Sequence, residues 1–161
     1  MTCIDRPTLS TLGPGDVAVG LRGDRLETLL GSCVAIVLTD PRRTVGVMCH
    51  IVHREPPDEH AGNDTAYAGA ALQRMCELLR ARGIVPQLCE AYVYGGGNMF
   101  PGLTPPLDIG ELNAAWAIHA LRAMGVRILA LDVAGTVYRR LQWTVGPTEP
   151  QVSAMPVETR T

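Results

Sequence analysis

The sequence predicts an α+β protein: a single-domain layered sandwich of mostly antiparallel β-sheet, with two main helices packed on it. Three observations carry that prediction. Short apolar and β-branched runs alternate with Gly, Pro and Asp turns, the pattern of many short strands. Two longer stretches instead repeat their apolar residues at helical spacing and stop at a Gly. The 161 residues, 47% hydrophobic and 19% charged, suffice for one ordinary core, and no repeat or linker divides them, so one domain is expected over 1–161.

Residues 1–14 read as a flexible amino-terminal segment. "DVAVG", "RLETLL" and "CVAIVLT" follow as consecutive strands, the last closed by the turn "DPRRT". In "VGVMCHIV", 45–52, Val45, Val47, Cys49 and Ile51 share one face, and Gly46, Met48, His50 and Val52 the other. His50 therefore points away from Cys49. The charged, Pro-rich "HREPPDEHAGND", 53–64, is a loop. Leu72, Met75, Cys76 and Leu79 stand at i, i+3, i+4 and i+7, which makes "YAGAALQRMCELLRARG" an amphipathic helix. "QLCEAYVY" is a strand running into "GGGNMFPG", 95–102, whose glycines imply positive φ or close backbone approach. "ELNAAWAIHALRAMG" is the second helix, with Ala114, Ala117, Ile118, Leu121 and Met124 on one face. "VRILALDV" reads as a buried strand, and "YRRLQWTV", "GPTEP" and "QVSAMPV" as a closing hairpin.

Composition excludes several classes. The acidic residues number 16 against 14 basic ones, all arginine and scattered, for a formal charge of -2 and no stripe suited to nucleic acid. The amino terminus lacks signal-peptide architecture, and no stretch approaches the roughly 18 apolar residues of a spanning helix. A cytoplasmic protein without membrane insertion is expected. Cys3, Cys33, Cys49, Cys76 and Cys89 form an odd set without a C-x-x-C pair, which argues against a disulfide framework or structural zinc.

Among the five thiols Cys33 has distinctive surroundings, following Gly31 and Ser32 at the mouth of a strand. A nucleophilic thiol needs a nearby base, and His50 lies seventeen residues on, the separation that two strands about a tight turn give. Pairing 34–39 antiparallel with 45–52 sets Cys33 and His50 at the same end of a hairpin. Such a thiol is expected to titrate below its ordinary value of about 8.5 and to alkylate ahead of Cys3 at mildly acid pH. Thr28 is the candidate acceptor that would orient the imidazole. Backbone N–H groups around Ser32 and Cys33 are candidate oxyanion donors, with Gly31 allowing close approach. "GGGNM" lacks the G-K-[ST] of a phosphate loop, so Gly96, Gly97 and Asn98 read as site wall.

From these residues alone a plainer reading stays open: Cys33 as a small buried residue, His50 as a hydrogen-bonded one, Thr28 as an ordinary strand residue. A metal site from Cys49, His50, His53 and His60 is disfavoured, because odd spacings place Cys49 and His50, and His50 and His53, on opposite strand faces. No metal and no cofactor is expected.

Taken jointly, "TLLGSCVAIVLTDP", "VGVMCHIV", "YVYGGGNMF", "IGELNAAWAIHALRAMGVRILALDVAGT" and the closing hairpin resemble the CheD family of chemoreceptor glutamine deamidases, over about 16–157. The resemblance implies a Cys-His-Thr triad on a sandwich similar to the catalytic domains of the cytotoxic necrotizing factor toxins. The nucleophile then falls on Cys33, the base on His50 and the third member on Thr28. The implied activity, in bacterial chemotaxis, is conversion of protein glutamine to glutamate with release of ammonia, with glutamate methyl esters as a second acyl substrate. Implied partners are chemoreceptor cytoplasmic domains and a CheC-type phosphatase. The alternative is a CheD-like module that docks receptors or that phosphatase with little catalysis. Two positions depart from the family pattern: Gly69, where Asp is frequent, and Ala134, where a second Gly is.

Overall fold

The computed structural model describes residues 6–54, 62–102 and 108–157; Cys3 and His60 lie outside them. Strand β4 (Val34–Thr39) is apolar at five consecutive positions and buried at all six, because its two faces meet different layers. Val34, Ile36 and Leu38 pack among helix side chains, while Ala35 and Val37 pack against a second sheet. That alternation is the period of two of a strand buried on both sides.

The five-stranded sheet has the order β2 (Val17–Leu21), β5 (Val45–Cys49), β4, β6 (Glu90–Gly95), β7 (Arg127–Val133). The four-stranded sheet runs β1 (Leu9–Leu12), β3 (Arg25–Leu30), β8 (Val137–Thr144), β9 (Gln151–Pro156). Helices α1 (Ala68–Arg80) and α2 (Ile109–Ala123) cover the outer face of the five-stranded sheet. The predicted α+β class and the two helices are therefore present. Among the described strands only β1–β3 and β6–β7 are parallel pairs.

Three expectations are corrected. Leu9–Leu12, within the segment 1–14 read as flexible, is strand β1: it pairs along its length with β3, Leu9 opposite Arg25 and Leu12 opposite Thr28, and buries Leu12. The strand β7 is not buried, because it forms the edge of its sheet, and Leu131 is exposed. Cys89 precedes β6 rather than lying within it, closing a 3-10 turn over Pro86–Leu88.

Candidate active site

The strands β4 and β5 pair with Val37 opposite Met48 and Leu38 opposite Val47. The register runs on to a bridge between Val34 and Ile51, closed by N–H···O bonds of 3.0 and 2.8 Å. Continued by one residue, it sets Cys33 opposite Val52 and His50 opposite Ala35. Both side chains thus stand on the face turned toward the four-stranded sheet, as diagonal neighbours with Cα atoms roughly 7–8 Å apart. Cys49 takes the other face, among the helix residues.

Facing them from the second sheet is β3, whose inward positions are Leu26, Thr28 and Leu30. A hydroxyl at an apolar core position must find partners, and Thr28 finds two. Its Oγ1 lies 2.8 Å from the carbonyl oxygen of Leu12 and 2.7 Å from Nδ1 of His50. A carbonyl oxygen only accepts, so the single hydroxyl proton goes to Leu12. The network therefore assigns the proton between His50 and Thr28 to Nδ1, and the neutral ring keeps its lone pair on Nε2. The His50 main chain is fixed too, its N–H donating to Asp16 O at 3.0 Å and its carbonyl accepting from Gly15 N at 2.9 Å.

Burial governs the protonation states. It pushes the Cys33 thiol above its ordinary value, and nothing offsets it. It also pushes His50 below its ordinary value, and the nearby Asp16 carboxylate pulls the other way without reversing the shift. The expectation of a depressed thiol pKa is not met: desolvation penalises the charged form of each group, and among the described residues Cys33 Sγ makes no hydrogen bond to His50. Cys49 and Cys89, deeper in the core, are pushed up to about 12.

The turn that carries Cys33 is held by its carbonyl groups. Gly31 O accepts from Gly97 N at 2.9 Å, and Cys33 O from Gly96 N at 2.9 Å. Those two glycine amides are committed to the turn, which removes them as oxyanion donors and gives the glycine-rich loop a structural task. Asn98 N–H is likewise committed, to Gly135 O at 2.7 Å. The loop presses onto α2 so closely that a Cβ on Gly96, at φ +66°, would meet Gly110 O at 2.5 Å. By contrast, the N–H groups of Ser32 and Cys33 donate to no backbone carbonyl among the described residues.

Two residues at this end escaped the sequence reading. Asn113, on the buried face of α2, donates from Nδ2 to Ser32 O at 3.3 Å and to Val52 O at 3.1 Å. Arg139, inward on β8 and almost fully buried, donates to Asp132 Oδ1 at 3.1 Å, Gly95 O at 3.2 Å and Ala134 O at 2.8 Å. The available signal was a polar or charged residue in an otherwise apolar stripe: Asn113 with Ala117 and Leu121, Arg139 with Leu141 and Trp143.

A cleft of about 180 Å³ adjoins the turn, walled by Ser32, Gly97, Met99, Phe100 and Ile109. A larger polar groove of about 530 Å³ lies beside α1, around Asp16, Thr65 and Arg74, and none of Thr28, Cys33 and His50 lines it. Among the described residues no cluster of three or more His, Cys, Asp or Glu side chains could hold a metal, and no helix is long and apolar enough to cross a membrane.

Residues 53–153 match the family model CheD, described as CheD chemotactic sensory transduction; that stretch begins after His50. The probable chemoreceptor glutamine deamidase CheD of Pseudomonas fluorescens (strain SBW25) is 34% identical over 135 residues, covering 82% of this chain and 76% of its own. The protein of the same name from Pseudomonas syringae pv. tomato is 32% identical over 154 residues, covering 91% and 89%. The part of this chain left outside that alignment is shorter than the stretch ahead of Thr28, so Thr28, Cys33 and His50 all fall within it. A third relative of that name, from Methanococcus vannielii, is 33% identical over 121 residues, covering 75% and 79%. A family model matched over more than half the chain, and relatives above 30% identity along most of both sequences, establish that this chain belongs to the CheD family.

Proposed function

We propose that the protein is a cysteine-dependent protein-glutamine deamidase acting on chemoreceptor cytoplasmic helices, with Cys33 as nucleophile, His50 as base and Thr28 as the residue that orients the base. The observation that carries this reading is the relay from His50 Nδ1 through Thr28 Oγ1 to Leu12 O, which reserves Nε2 as a base on the face where Cys33 stands.

The steps follow from the protonation states. As a glutamine carboxamide approaches, the Cys33 thiol gives its proton to His50 Nε2 while the sulfur attacks the carbonyl carbon. The tetrahedral oxyanion is received by the uncommitted N–H groups of Ser32 and Cys33. Imidazolium then protonates the leaving nitrogen, ammonia departs and a thioester remains. His50, neutral again, takes a proton from water as it attacks the thioester; glutamate leaves and Cys33 recovers its proton. Thr28 accepts from Nδ1 throughout and stabilises the transient imidazolium. The cleft walled by Met99, Phe100 and Ile109 lies alongside to receive the flank of the substrate.

The test is to incubate the purified protein with a recombinant chemoreceptor cytoplasmic fragment and follow amide-to-acid mass shifts. The wild type should convert specific glutamines and Cys33→Ala should convert none, with its circular dichroism unchanged. Turnover retained in Cys33→Ala would dismiss the nucleophile assignment. A wild type that binds the fragment but converts nothing would favour the docking module.

A further inference from the structure

The turn at 31–33 is fixed through three carbonyl groups. Two of them accept from backbone amides, Gly97 N and Gly96 N, which no side-chain change can remove. The third, Ser32 O, accepts from the side chain of Asn113, eighty-one residues away on α2. Because a trans peptide is planar, its C=O and N–H point in opposite directions. Whatever fixes Ser32 O therefore also aims the N–H of Cys33. The next peptide shows the rule at work: Cys33 O points to Gly96 N, and Val34 N–H points oppositely, to Ile51 O at 3.0 Å.

We propose that Asn113 is a positioning residue that sets the oxyanion donor, holding the Ser32–Cys33 peptide plane so that Cys33 N–H faces the reacting carbonyl. The inference rests on the deamidase reading of the site above. The same Nδ2 group also donates to Val52 O, two residues beyond His50, so one amide ties the segment bearing the nucleophile to the segment bearing the base. Its other atom argues against a purely stabilising role. Asn113 is 1% exposed, and its Oδ1 has no hydrogen-bond partner among the described residues. A buried acceptor left unpaired works against folding and offsets part of what the two donated bonds contribute.

The experiment separates two reactions of the same sulfur. Acyl transfer passes through a tetrahedral oxyanion and needs the aimed N–H; alkylation by iodoacetamide displaces iodide at a saturated carbon and does not. Asn113→Leu, close in volume, should lose on the order of 10²-fold in kcat for deamidation of the receptor fragment, the worth of one oxyanion donor. It should lose similarly in acylation by p-nitrophenyl acetate, in which Cys33 sulfur bonds to the acetyl carbon and p-nitrophenolate leaves. Cys33 alkylation should stay within about threefold of wild type, since His50 remains held by Thr28 and by its main-chain bonds to Gly15 and Asp16. The melting temperature should fall only slightly, because Ser32 O and Val52 O lose a donor while the unpaired Oδ1 is removed. Asn113→Asp, which brings a carboxylate against two carbonyl oxygens, should lose acyl transfer at least as far. The ester probe keeps the readings apart: a wild type inactive on the receptor fragment overturns the substrate assignment, while the acyl-to-alkyl ratio still judges Asn113. Acylation within threefold of wild type in both variants would overturn the proposal. Acylation and alkylation falling in parallel would also overturn it, because that is the pattern of a collapsed site.

Discussion

The strands β4 and β5 bury a titratable group at each end, and the two ends treat it oppositely. At the turn end, burial works against ionisation of Asp40, yet its carboxylate accepts from Thr44 Oγ1 at 2.6 Å, Thr44 N at 2.8 Å and Val45 N at 3.0 Å, and the sum holds it below the usual carboxylate range. At the open end, burial acts on Cys33 and no donor answers it, so the thiol is pushed up; His50 is pushed down. One end has matched a charge with donors and is chemically finished. The other keeps two neutral groups whose charged forms the site has yet to stabilise. That difference is what separates a structural polar cluster from a reactive one.

The comparison can be broken most severely at His50. Replacing it with Gln should lower deamidation about 10²- to 10⁴-fold, the usual worth of a positioned acid-base group, as measured by ammonia release. Because His50 titrates below its ordinary value of about 6.5, the wild-type rate should persist from neutral pH to somewhat below 6.5 before failing; an acid limb centred above that value would contradict the burial argument. Stability carries the same sign. The lowered folded value gives a contribution fully present above about 6.5 and lost as pH falls through the folded pKa, so the gap between wild type and His50→Gln should narrow there.

A smaller loss is expected from Thr28→Val, which keeps the shape of β3 but removes the acceptor of Nδ1–H and the donor to Leu12 O. The rate should fall roughly 10- to 100-fold, as when an orienting partner is removed, while Thr28→Ser should recover most of it. Equal effects of Val and Ser would show that packing, rather than the relay, matters.

At the finished end the effect should be on stability alone. Asp40→Asn weakens charge-assisted hydrogen bonds and should cost on the order of 2 kcal/mol in urea unfolding at neutral pH, with kcat unchanged. Asp40 has a lowered folded pKa, so its contribution is complete above the unfolded value of about 3.9 and fades as pH drops through the folded one. The difference between wild type and Asp40→Asn should shrink correspondingly below about pH 4.

Much of the reactive end was legible in the chain. The period-two reading of 45–52 placed His50 and Cys49 on opposite faces, and the seventeen-residue separation placed Cys33 and His50 on one hairpin end. Helical spacing found α1 and α2, since their apolar stripes are local patterns. What could not be read were non-local pairings. β2, β3 and β4 look alike as strings, yet β3 leaves for the other sheet and so brings Thr28 across the gap. "LSTL" is too short and polar to announce a strand, and its value lies in a parallel register with β3 that no local pattern encodes. The bonds of the Gly96 and Gly97 amides to the turn could not be read either, because donors left over at a site depend on which carbonyl groups fold against them. The direction of the Cys33 shift turned on how far burial outweighs any neighbour, a balance set by three dimensions.

The strand β1 makes a remote part of the chain answerable for a proton. Its last residue, Leu12, supplies the carbonyl that takes the Thr28 hydroxyl proton and so decides which nitrogen of His50 is free. It is followed by the turn at 13–16, where Pro14 and Asp16 are exposed. A protease that nicked this turn would leave Thr28, Cys33, His50 and the cleft covalently whole. Once β1 peeled from the sheet edge, the Thr28 hydroxyl would be free to donate to His50 instead, and the imidazole could rest in the tautomer that presents N–H, not a lone pair, to the thiol. The protein would then be inactivated by a cut outside its active site, with every catalytic side chain intact.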